Sequence, residues 1–129
     1  MSGTDSSSYE TVPLTELTPR HYPFGVAIPG MGEISFDSSD VTPFAEMLIE
    51  VARVLDSAGR LPSGEIQPNH GKAPLVTINP DSGANRPLPS GRLINIRHTK
   101  HQFIACTQDL VSVAGFSPDS VSVYTLPKE

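Results

Sequence analysis

The chain has 129 residues, 37% of them apolar, with 13 prolines, 10 glycines and no tryptophan. That is the length of one domain with enough apolar material for a core, and a turn-rich composition short of low complexity. The net charge of −5 argues against general nucleic-acid binding, which depends on neutralising phosphates, and a single cysteine, Cys106, excludes an intrachain disulfide.

Residues 1–9 are polar and serine-rich and are expected to form a disordered tail, leaving 10–129 as one domain. No basic start with an apolar run behind it opens the chain, and no segment approaches the roughly 18 apolar residues of a membrane span. The expectation is a cytoplasmic protein with no membrane attachment. Residues 11–17 alternate weakly and read as an edge strand, where Pro13 is tolerated. Residues 22–28 read as a strand, 29–32 as a turn and 33–36 as further extended chain.

Residues 43–57 carry the clearest pattern. Phe44, Leu48, Val51, Ala52 and Leu55 recur at helical spacing, with Glu46, Glu50, Arg53 and Ser57 opposite them. Thr42 is placed to cap this helix, Pro43 suits its first position, Val41 can staple it, and Gly59 marks its end. Met47, Ile49 and Val54 fall outside the main apolar stripe. The apolar arc therefore exceeds the about 100° that a surface helix needs, and the helix must be covered on more than one side. Met47, Ile49 and Val54 are the candidate interface residues.

Residues 62–73 and 80–91 read as loops around a short strand at 74–79. The C-terminal third reads as four strands, at 92–97, 102–106, 110–114 and 120–126, whose short connections favour an antiparallel meander. The expected fold is α+β: a mainly antiparallel sheet of about five to seven strands, curled toward a barrel and covered by one long helix. Its core should hold Phe24, Val26, Phe44, Leu48, Val51, Leu55, Val76, Ile78, Ile94, Ile96, Ile104, Val111, Val113 and Val121 or Val123.

Chemical signals are sparse. His98, His101 and Cys106, with His70 or His21, offer ligand types for a borderline metal, but no CxxC or HExxH spacing accompanies them. Cys106 follows Phe103, Ile104 and Ala105, which favours a buried hydrophobe over an activated nucleophile. Gly71-Lys72 lacks the rest of a phosphate loop, and Asp37, Asp40 and Asp81 lack a paired carboxylate. Arg92, Asn95, Arg97 and Lys100 beside Phe103 and Tyr124 suggest a nucleic-acid platform less well than a solvated strand over a core. No catalytic residue, metal or cofactor is assigned.

Charge is segregated along the chain. Residues 21–60 hold Glu33, Asp37, Asp40, Glu46, Glu50 and Asp56, whereas residues 91–108 hold Arg92, Arg97 and Lys100 and no acid. With the surplus apolar helix surface, this supports a non-catalytic interaction or assembly module, acting as a homo-oligomer or as a subunit with another protein. The alternative is a small enzyme or ligand-binding domain with a pocket near Arg97, His98 and His101.

Overall fold

The computed structural model describes residues 9–36, 42–62, 64–66, 75–77, 85–96 and 98–126. Residues 1–8 of the tail expected over 1–9, the staple residue Val41, and Asp37, Asp40, His70, Ile78, Asp81 and Arg97 lie outside the described residues. The elements run β1 (Glu10–Pro13), β2 (Tyr22–Ile28), β3 (Gly32–Ser35), α1 (Pro43–Ser57), β4 (Val76–Thr77), β5 (Asn85–Pro87), β6 (Leu93–Asn95), α2 (Lys100–Val113) and β7 (Ser122–Leu126). The class is α+β with antiparallel sheets, as the pattern predicts. The strands form two open sheets, ordered β1-β7-β2-β3 and β4-β6-β5, and neither closes into a barrel.

Helix α1 follows the sequence closely. The Thr42 hydroxyl accepts the Ala45 amide at 3.3 Å, and Pro43 takes the first turn. At the other end Gly59 adopts φ +72°, its amide reaches the Asp56 carbonyl at 3.1 Å, and the Arg60 amide reaches Leu55 at 2.9 Å. This paired closure satisfies carbonyls that the helix end would otherwise orphan. The helix buries Phe44, Ala45, Met47, Leu48, Ile49, Val51, Ala52 and Leu55, and it packs on β2 and on a second helix, α2.

That second helix corrects the expectation of a single one. Residues 102–106 and 110–114, read as strands, and their connecting turn at 107–109 belong to α2, apart from its C-cap Ala114. Phe103, Ile104, Thr107, Val111 and Val113 give the segment β-like composition. The stops nonetheless favour a helix. Thr99 and Gln102 form a reciprocal capping box, with 2.8 Å and 3.2 Å bonds. Gly115 at φ +96° ends the helix as Gly59 ends α1, with Phe116 bonded back to Val111 at 2.9 Å. Phe103, Thr107, Leu110, Val111 and Ala114 are all buried at helical spacing. The Thr107 hydroxyl, enclosed in mid-helix, donates to the Phe103 carbonyl at 2.8 Å.

The expected core is otherwise largely present, in one cluster that unites both helices and both sheets. Ile96 is only partly buried against it, and Val113 is 42% exposed on α2. Phe24 lies on the solvent side of β2 for a local reason. Pro23 pairs with Thr125 and Gly25 with Tyr124, so Phe24 is the extra residue of a bulge. The bulge shifts parity, sending Val26 and Ile28 to the core and leaving Phe24 outside.

Candidate functional site

Helix α2 brings two of the expected chemical residues together. His98 precedes the Thr99 cap, and Cys106, the seventh residue of the helix, has its Sγ 4.0 Å from His98 Nε2. The same Nε2 is 2.9 Å from the Asn95 carbonyl oxygen. A carbonyl only accepts, so Nε2 carries its hydrogen toward Asn95 and has no lone pair for the thiol proton. Burial, and then the Asp109 carboxylate, push the Cys106 thiol up to about 11. Burial also lowers His98, although the Asn95 carbonyl opposes this. The pair therefore has neither a low thiol pKa nor a base aimed at sulfur, the two requirements of an activated cysteine. The His98 ring instead packs edge-on against Phe103 at 5.2 Å.

The other expected ligands do not converge on it. His101 is exposed on the first turn of α2. His21 closes its own turn, with Nδ1 accepting the Thr18 amide at 3.0 Å. Among the described residues, no three His, Cys, Asp or Glu side chains form a metal cluster. Three open clefts run along α1. They are lined by Ser35, Phe36, Glu46 and Glu50, by Met31, Arg53, Val54, Ser57, Ala58 and Pro89, and by Glu46, Ile49, Glu50, Arg53, Arg86 and Pro87. Neither His98 nor His101 lines any of the three.

The candidate interface residues of α1 are used inside the chain. Met47 is fully buried and Ile49 nearly so, while half-buried Val54 faces one of the clefts. Within the chain, α2 and β2 pack against this broad apolar arc. Part of the charge segregation is also resolved internally. Arg92 from the basic stretch meets Asp56 at the C-terminal end of α1, with Nη2 to Oδ1 at 2.7 Å, and both side chains are largely buried.

Among the described residues the exposed apolar surface is elsewhere, on the outer face of the β1-β7-β2-β3 sheet. Tyr124 and Leu126 share one face of β7, opposite buried Val123 and Thr125. Tyr22 pairs with Leu126 across the strands. The rings of Tyr9, Phe24 and Tyr124 pack against one another with centroids 5.7–6.3 Å apart. Tyr124 crosses Gly25, the one position of β2 with no side chain to obstruct it. A Cβ there would lie 3.2 Å from Tyr124 Cδ2. Beyond it the phenol donates to Glu33 Oε2 on β3 at 2.9 Å, a bond that raises the Tyr124 pKa.

Among the described residues four large apolar side chains stand out as exposed: Tyr9, Tyr22, Val113 and Leu126. Three of them belong to this aromatic face. The four strands carry Glu10 and Glu33 and no lysine or arginine. This surface was missed at the level of sequence, yet a signal exists. Apolar residues of both parities in 22–28 and 122–126 mark strands that are apolar on both faces.

No helix among the described residues is long and apolar enough to cross a membrane. Comparison of the chain with protein-family models, with curated proteins and with solved structures returns no match.

Proposed function

We propose that the protein is a non-catalytic interaction or assembly module whose docking surface is the aromatic outer face of the β1-β7-β2-β3 sheet, working as a homo-oligomer or as a subunit with another protein. The observation that carries this reading is the gathering of Tyr9, Tyr22 and Leu126, each more than two-fifths exposed, around the Phe24–Tyr124 pair. Exposed aromatic area on an open sheet is costly to leave in water and is typical of interface cores. A nucleic-acid platform would need cations beside the rings, and these strands bring none.

The near absence of charge favours a second copy of the same face. Of the two carboxylates these strands carry, Glu33 is already engaged by the Tyr124 phenol, and Glu10 stands at the start of β1 opposite Thr125. A single buried thiol suits a reducing, cytoplasmic setting. Light scattering at micromolar concentration tests the proposal. The expected result is a native mass above one chain, reduced to one chain by Tyr22→Ser combined with Leu126→Ser. Both residues are exposed, so circular dichroism should show the fold retained. A wild-type monomer would overturn self-association, and an oligomer that survives the double variant would overturn the sheet face as its seat.

A further inference from the structure

His98 sits at the joint where β6 hands over to α2, one residue ahead of the cap that starts the helix. Its ring ties three parts of that joint together: the Asn95 carbonyl at the end of β6, the Phe103 ring one turn into α2, and Cys106 beneath. We propose that His98 is an acid-sensitive latch on the first turn of α2: neutral, it holds the turn against β6 and covers Cys106, and on protonation it leaves for water and the turn opens.

The geometry sets the direction. The neutral ring has its single N–H satisfied by Asn95 and the rest of its surface half-buried. A second proton would put a full charge into that site, at the end of α2 where the helix dipole is positive and repels cations. The Asn95 carbonyl favours the charged ring, but burial outweighs it. The groups around it offer little relief. From α2 it faces the neutral Cys106 thiol, with Asp109 a turn further bearing on that thiol, while Lys100 and His101 stand exposed on the first turn. Strand β6, Leu93-Ile94-Asn95, contributes the Asn95 carbonyl and no charged side chain.

The linkage follows from the lowered value. An open turn leaves His98 with the ordinary histidine value of about 6.5, and burial in the latched turn lowers it. The latch is therefore at full strength above pH about 6.5, weakens as pH falls below that, and levels off below the latched value. Cys106, 4% exposed, is the reporter. Its protection is the ratio of thiol-labelling rates in the denatured and native protein at the same pH, which cancels the reagent's own pH dependence. Between about pH 7.5 and about pH 5.5 the protection should fall, by up to about tenfold. In His98→Gln, which keeps a neutral donor for Asn95, it should stay flat. Parallel pH profiles in the two proteins would overturn the latch. If His98→Gln fails to fold, the imidazole titration of the wild type decides by NMR: a value below that of a free histidine supports the latch, and one at or above it overturns it.

Discussion

Removing the Arg92 side chain should cost this protein more than any surface substitution. Asp56 is at the last turn of α1, where the helix dipole disfavours an anion, and its side chain is only 1% exposed. It persists there because its oxygens are filled: Oδ1 by Arg92 Nη2 at 2.7 Å and Oδ2 by the Ser90 amide at 2.8 Å. The same guanidinium donates to the Gly64 carbonyl at 3.0 Å, to the Pro62 carbonyl, and through Nε to Ser90 Oγ at 3.1 Å. One side chain thus pins the segment after α1 and the turn between β5 and β6 to the helix end.

Arg92→Met leaves Asp56 buried with only Ser90 beside it and no countercharge. Breaking a buried pair from one side typically costs about 3–5 kcal/mol, a large part of a total of roughly 5–15 kcal/mol. At this chain length that is roughly 11–18 °C in Tm. Urea denaturation should show a lower midpoint at unchanged slope. Asp56→Asn combined with Arg92→Met should be less damaging than Arg92→Met alone, because no charge is then orphaned. The pH dependence gives an independent check. Burial pushes Asp56 up, but the Ser90 amide and Arg92 outweigh it and hold the carboxyl below its usual range. Its contribution is then complete above pH about 4 and is lost as pH falls through the folded value. Arg92→Met should shrink or reverse that acid-side loss. A single variant within about 1 kcal/mol of wild type would refute the reasoning, since the pair would then behave as an exposed one.

Three further outcomes are expected. Gly25→Ala places a Cβ 3.0 Å from the Ile34 carbonyl oxygen and 3.2 Å from the Tyr124 ring, so stability should drop by about 1–3 kcal/mol in thermal melts. Thr125→Val should be neutral to stabilising by about 1 kcal/mol, because Oγ1 of this fully buried residue has no hydrogen-bond partner among the described residues; a clear loss of stability would reveal one. Cys106→Ala should cost about 1–2 kcal/mol by leaving a small cavity, and wild-type Cys106 should label slowly at neutral pH, as a thiol pushed up to about 11 would.

The sequence was most legible where one local signal met one periodicity. Thr42-Pro43, a helical stripe and Gly59 all point to α1, and the structure has all three. In 99–115 the same kind of stops, Thr99 with Gln102 and Gly115, surround residues with strand propensity, and burial against α1 decides for helix over that propensity. The candidate site was legible only in part. His98 and Cys106 were marked by residue type, but the direction of the His98 N–H depends on the Asn95 carbonyl, a backbone atom that composition cannot reveal. Phe24 was placed in the core by strict alternation, and a one-residue bulge reversed it. Asp56 with Arg92 joins residues 36 positions apart, beyond the reach of any local pattern.

The order β1-β7-β2-β3 has a kinetic consequence. The C-terminal strand lies in the middle of the sheet, hydrogen-bonded to the N-terminal strand on one side and to β2 on the other. As the chain leaves the ribosome, β2 and β3 can form their hairpin at once and α1 can follow. Strand β1 has no partner until residues 122–126 are made, and the aromatic cluster cannot assemble before then, because Tyr124 is one of its three rings. Such long-range closure slows folding, and until it happens the β1 and β2 edges stay open to strands of other chains. The vulnerable period in the life of this protein is therefore the interval before residues 122–126 emerge, when the strand that zips the sheet is still missing.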